Sequence, residues 1–273
     1  MKLLRYPTQA EWEKIVALGP GVRMYNGMKT LFWNGVSLYD EDTRQWLIYD
    51  CQERRSWQVI IVLPGVEVIP KLSFYSCTII KTVIMPDSGV KRIEDNAFGY
   101  CICLVFIKLS RALEYIGEWA FRDCDSLTSI FIPPSCREIA NYVFDGCEEL
   151  IILSISPHTQ LGANVIASTA LIEASKFKTD GMYGHYEDTT EVSTWIKSIN
   201  DAEGLALHRI CSSDNPDTEQ VYRYVKDHGL RVMKLPNSIG ITPLQYLAVN
   251  PYSEIDEGKL VKKYILEMMG EVV

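Results

Sequence analysis

The sequence predicts an α+β protein whose centre is a solenoid of about four to five short coils, with an N-terminal helix and β-hairpin cap and a C-terminal α-helical module. Three observations predict it. The pattern Phe-x-x-Cys occurs at Phe74/Cys77, Phe98/Cys101, Phe121/Cys124 and Phe144/Cys147, so successive copies lie 24, 23 and 23 residues apart. An isoleucine stands five residues before each Phe (Ile69, Ile93, Ile116, Ile139), and Ile80, Leu104, Leu127 or Leu150 stands three after each Cys. Outside residues 57–170 the period is lost, and hairpin and helix signals take its place.

Residues 1–56 form the N-terminal cap in this reading. Thr8 and Glu11 make a capping box that opens a short helix, which Gly19 ends. Asn26-Gly27 and Asn34-Gly35, each between apolar-rich runs, predict a small meander. The charged stretch DEDTRQWLIYDCQERR reads as a connector or a helix.

Residues 57–170 form the solenoid. Each copy pairs one short strand with a return segment and cannot bury its apolar side alone, so the core is made by stacking. In LTSIFIP the inward residues are Leu127, Ile130 and Ile132, joined by Ile116, Phe121 and Cys124 from the return segment. Pro64, Pro86 and Pro133 mark strand exits, where no ladder N–H is needed. Alternation then turns Ile60 and Val62, Thr82 and Ile84, Phe106 and Lys108, Ser129 and Phe131, and Ile152 and Ser154 outward. Six of these ten are large and apolar, more than a freely solvated face carries. Either a partner or the chain's own termini cover them, and Ile60, Val62, Ile84, Phe106, Lys108, Phe131 and Ile152 become the candidate partner-binding residues. The segment LIILSISPHTQLGANVIASTAL reads as a terminal half-copy that keeps the strand and loses Phe-x-x-Cys.

A period near 23 with Leu/Ile at fixed offsets lies in the leucine-rich-repeat range. IPPSCREIANYVFDGCEEL and VEVIPKLSFYSCTIIKTVIMP resemble the BspA-like class of these repeats, with Ser73 and Val143 standing where the class prefers Ala. The run SWQVIIVLPGVEVIP and the tail VKKYILEMMGE resemble a family of microalgal repeat proteins, a resemblance that implies architecture and no chemistry.

Residues 171–202 read as a mobile linker followed by a short helix at EVSTWIKSIN. Residues 203–273 read as two helix pairs, LALHRICSS with TEQVYRYVKDHG and ITPLQYLAV with DEGKLVKKYILEMMG. LHRI and TPLQYL resemble the opening of ankyrin repeats, with Thr242, Pro243 and Leu244 in place. That resemblance implies a structural, hydrogen-bonded role for His208.

Composition limits function. The 273 residues are 47% apolar and carry a net charge of −8 without a dense basic tract, which argues against nucleic acid and anionic membrane partners. No signal peptide or transmembrane run is legible, so a cytoplasmic setting is expected. In that setting the eight cysteines need no bridges; those of the Phe-x-x-Cys row read as small buried thiols, and no metal or cofactor is expected. Phosphate-loop, zincin, nucleophile-elbow and dinucleotide patterns are missing, and His208 with Cys211 at i, i+3 has no oxyanion site beside it. No catalytic residue is assigned. The expected function is a protein-interaction scaffold that binds a protein partner across the strand face, with cell-surface recognition, a role some BspA-like proteins have, and an enzyme site between solenoid and helices as alternatives.

Overall fold

The computed structural model describes residues 7–36, 39–40, 45–46, 56–181, 183–186, 189–199, 206–213 and 218–251. Helix α1 (Gln9–Leu18) begins at Thr8, whose side chain accepts from the Glu11 N–H while Glu11 answers the Thr8 N–H at 2.8 Å. Strands β1 (Gly21–Tyr25) and β2 (Met28–Trp33) follow as an antiparallel hairpin. Asn26 and Gly27 both take left-handed backbone at its turn, as a two-residue hairpin requires.

The hairpin continues into the solenoid. β2 pairs in parallel with β5 (Val59–Val62), then come β7 (Thr82–Ile84) and β9 (Phe106–Lys108), giving one five-stranded sheet in the order β1-β2-β5-β7-β9. The expected hairpin at Asn34-Gly35 does not form, because β2 already has β1 on one edge and β5 on the other. Within the charged stretch, Tyr39–Asp40 (β3) pairs with Gln45–Trp46 (β4), and the rest of it lies outside the described residues. The strand ladder resumes as the pair β11 (Ser129–Phe131) and β13 (Ile152–Ser154).

A second parallel sheet is made of two-residue strands: β6 (Val68–Ile69), β8 (Arg92–Ile93), β10 (Tyr115–Ile116), β12 (Glu138–Ile139) and β14 (Gln160–Leu161). Its register places Ile69, Ile93, Ile116, Ile139 and Leu161 in line, the first four being the isoleucines read from the period. A third ladder links the return turns. The N–H of Phe74 donates to Ala97, that of Phe98 to Ala120, that of Phe121 to Val143 and that of Phe144 to Val165, each at 2.8–3.0 Å. Two residues of each described return turn take left-handed backbone at matching places, including Trp119 and Asp123, and Tyr142 and Gly146.

Inside, the four Phe rings stack along the solenoid axis at 5.2, 5.3 and 5.7 Å. Trp33 closes the N-terminal end of the spine edge-on to Phe74 at 5.2 Å. Each later ladder thiol donates to the carbonyl of the Phe in the preceding coil: Cys101 to Phe74, Cys124 to Phe98 and Cys147 to Phe121, at 3.0–3.3 Å. A small buried residue with a weak donor suits that place, which explains the Cys of the repeat. Ser73, the departure from Ala, is satisfied by a 2.8 Å bond to the Pro70 carbonyl.

The terminal copy is more complete than the sequence implied. Residues 163–168 form a fifth return turn, with Ile166 and Thr169 standing where Phe and Cys stand before. Thr169 Oγ donates to the Ile166 carbonyl and its oxygen receives the Ile172 N–H, capping α2 (Ala170–Glu173). Nor do residues 183–186 hang free: the Ser168 hydroxyl donates to the Tyr183 carbonyl, the Tyr186 N–H donates to Asn164 at 2.9 Å, and Tyr186 is buried in the main core. With α3 (Thr189–Ser198), whose Val192 and Ile196 enter the same core, they close the solenoid's C-terminal end. A stacked coil exposes an apolar end that has to be covered, and the expected linker covers it.

Beyond lie α4 (Ala206–Ser212), α5 (Thr218–His228), a 3-10 turn (Leu230–Lys234) and α6 (Pro243–Val249). Thr242 and Gln245 form a reciprocal cap with Pro243 at the first helical position. Asn250 donates to the Cys211 and Ser213 carbonyls at 2.9 and 2.7 Å, tying α4 to the end of α6. The last expected helix, 256–270, lies outside the described residues.

Candidate interaction surfaces

The strand face is not an open stripe, and the expected partner-binding set is corrected residue by residue. Ile60 and Val62 point into the main core. In the observed register Ile60 lies opposite Val83, which lies opposite Ile107, all inward. Aligning the first coil on Pro64 and Pro86, 22 residues apart, slips it by one residue against the true 23-residue pairing, and a slip of one exchanges the two faces. The outward residues of β5 are Val59 and Ile61. They join Ile84, Phe32 and Leu63 beneath Trp12 and Ile15 of α1. At the other end, Phe131 and Ile152, 3% and 6% exposed, pack with Leu207, Cys211, Val225 and Tyr246 of the C-terminal helices. Ser154 Oγ adds a 2.5 Å bond to the Ser212 carbonyl. Of the seven expected residues, Phe106 alone keeps partial exposure.

Lys108 faces out from β9 and is nevertheless buried, its side chain 1% exposed. Nζ donates to Asp87 at 2.5 Å and to the Met85 carbonyl at 3.4 Å, and Arg111 approaches the same carboxylate at 3.6 Å. Burial pushes the ammonium down to about 8 against the opposing pull of Asp87. The unfolded chain holds this proton up to about 10.5, so between the two values it binds more protons than the folded chain, and stability rises with pH. The stability of the wild type relative to Lys108→Met should therefore improve by about 2–3 kcal/mol between pH 7 and pH 10. Urea unfolding at both pH values checks it; taking the difference cancels the cysteines, and a flat difference would show a solvated lysine.

The thiols are structural. No disulfide joins the described cysteines, Cys77, Cys101, Cys103, Cys124, Cys136, Cys147 and Cys211, to one another. Burial pushes Cys136 and Cys211 up to about 12 and raises Cys124 as well, the opposite of what a nucleophile needs. His208 is buried beside Tyr246, its ring edge-on at 6.3 Å, and burial lowers its pKa while the Leu235 and Ile241 backbone opposes the shift. The ring lies against the Leu235 and Ile241 backbone, and neither nitrogen makes a hydrogen bond of good geometry among the described residues. Asn237 holds the neighbouring turn, accepting from the Ile239 and Ile241 N–H groups and donating to the Tyr246 hydroxyl.

The opposite side of the coils, the return face, carries a feature that the repeat pattern did not single out. Tyr75 meets Tyr100 edge-on at 5.3 Å, Arg122 lies 5.8 and 5.9 Å from the rings of Tyr100 and Trp119, Trp119 lies 6.1 Å from Tyr142, and Tyr142 lies 5.4 Å from His185. All are half-buried, neither sunk in the core nor fully solvated. Trp119 and Tyr142 occupy the same left-handed position in adjacent turns, so their 23-residue spacing was the signal that could have revealed them.

Two short-stranded parallel sheets joined by stacked return turns around an aromatic spine define a leucine-rich-repeat solenoid. Residues 67–180 match the family model of the BspA type leucine-rich repeat region, in six copies. Among solved structures the chain is similar to a leucine-rich repeat protein of T. pallidum, at 22% identity and a TM-score of 0.39, covering 55% of this chain and 64% of that one. It is similar too to a leucine-rich repeat protein from Bacteroides ovatus, at 26% identity and 0.37, covering 46% and 31%. A third is a leucine-rich cell surface protein from Faecalibacterium prausnitzii, at 18% and 0.41, covering 55% and 44%. The chain thus spans less than two thirds of the length of each of these proteins. No curated protein matches it. Among the described residues no helix is long and apolar enough to cross a membrane, and no group of three or more His, Cys, Asp or Glu is arranged to hold a metal ion.

Proposed function

We propose that the protein is a non-catalytic recognition module, an adaptor that takes a protein partner on the return face of its solenoid. One observation carries this reading: the chain's own helices lie over both ends of the strand face, while a continuous half-exposed aromatic row crosses several coils on the return face. Half-exposed Tyr and Trp with an Arg among them are the residue types that dominate binding energy at protein interfaces. The third ladder holds their backbones at fixed spacing, so little ordering entropy opposes docking. In the same reading the C-terminal helices are an ankyrin-like module docked on the solenoid, supported by the Thr242-Pro243 helix start and by Phe131 and Ile152 beneath them. A reducing, intracellular setting accords with described cysteines that form no disulfide with one another.

Affinity capture from the native cell tests it, using the wild type, a Trp119→Ala/Tyr142→Ala double variant and Phe106→Ser. The expected result is a stoichiometric protein partner that the double variant loses and Phe106→Ser keeps. A partner lost with Phe106→Ser alone would return the site to the strand face.

A further inference from the structure

The return face already holds one guanidinium, and the way it does so identifies what else it suits. Arg122 lies beside two aromatic rings and between two carboxylates, 3.1 Å from Asp123 and 3.8 Å from Asp145. One cation thus serves two half-buried acids. Asp145 remains raised above the ordinary carboxylate range, chiefly by burial, with Arg122 and His185 opposing and Asp123 adding to it. Asp125 is raised as well, by burial and then by Glu148 and Asp123. The carboxylates of Asp123, Asp125, Asp145 and Glu148 outnumber the Arg122 guanidinium set among them, in a chain of net charge −8. Beside the acids, the rings of Trp119 and Tyr142 lie 6.1 Å apart on half-buried residues.

We infer that the return face binds an arginine-bearing segment of a partner protein, with a guanidinium stacked on Trp119 and Tyr142 and paired with Asp145. A planar guanidinium suits this surface better than an ammonium, because it stacks on a ring while its in-plane N–H groups still reach a carboxylate, and it gives up its hydration more readily. Arg122 makes both kinds of contact within the chain. Charge complementarity argues the same way, since an acidic patch beside aromatic rings repels acidic segments and draws basic ones.

This inference rests on the return face being the recognition surface, and it is tested apart from that reading. Calorimetric titrations of the full chain at physiological salt use three probes: a peptide alternating Arg and Gly, the same peptide with Lys for Arg, and a neutral glucose oligosaccharide. The Arg peptide should bind saturably and about tenfold more tightly than the Lys peptide, a difference on the scale of one or two desolvated cation–π contacts. Trp119→Ala/Tyr142→Ala should weaken it about tenfold or more, and Asp145→Asn, which removes charge with little change of shape, should weaken it as well. Thermal melts of each variant establish that it is folded, and Trp119→Phe, which keeps a ring, should retain most of the binding. Equal affinity for the two peptides would reduce the effect to net charge and overturn the inference. So would unchanged binding by Asp145→Asn, or saturable binding of the oligosaccharide without that of the Arg peptide. Loss of the captured cellular partner in the double variant, with no arginine selectivity, would sink this inference and leave the recognition reading standing.

Discussion

Phe121→Ala should destabilise the protein by about 3–5 kcal/mol, the range for truncating a fully buried aromatic side chain in a core that collapses only partly around the cavity. The ring is stacked against Phe98 at 5.3 Å, almost parallel, and against Phe144 at 5.7 Å, so two aromatic contacts are lost with the buried area. Position makes the loss worse. In a stack where each coil touches only its neighbours, a break in the middle uncouples the coils on either side. The same truncation at His185, half-buried at the surface and 3.7 Å from Asp180, should cost within about 0.5 kcal/mol. If thermal melts of the two variants coincide, the Phe spine is misassigned.

That spine was legible because every inward position must be filled by the same kind of residue in each coil, and so it leaves a strict period. The second sheet was legible for the same reason, its inward isoleucines recurring five residues before each Phe. The first coil was misread because its proline exits are 22 residues apart while its strands pair 23 apart, with the turn after Val62 absorbing the difference. The fifth coil was read as half a coil because Ile166 and Thr169 reproduce the packing with different chemistry. Periodicity reports the direction of a side chain and not what lies upon it. Ile84, Phe131 and Ile152 do face out of the solenoid, and the excess of large apolar residues there was the only hint of a cover. The aromatic row stayed hidden because Tyr75, Tyr100 and Trp119 fall at three different places within the repeat, and the rings converge only once the turns are stacked.

The chain's own helices cover both ends of the strand face, and Phe131→Ala tests that cover. Phe131 projects from β11 away from the solenoid core, so its burial comes from the C-terminal helices and not from the neighbouring coils. Removing the ring should cost about 3–5 kcal/mol. The loss should be local, since α4 to α6 touch the strands through Phe131, Ile152 and the Ser154–Ser212 bond, while the coils keep their own spine. Hydrogen exchange resolves such sub-global opening segment by segment. Measured on wild type and Phe131→Ala, it should show the amides of α4 and α6 protected in the first and exchanging well ahead of the coils in the second, with the return turns at 95–100 and 118–123 unchanged. Unaltered protection of α4 and α6, together with an unaltered melting temperature, would mean that Phe131 is an open surface residue and that the strand face is free to bind.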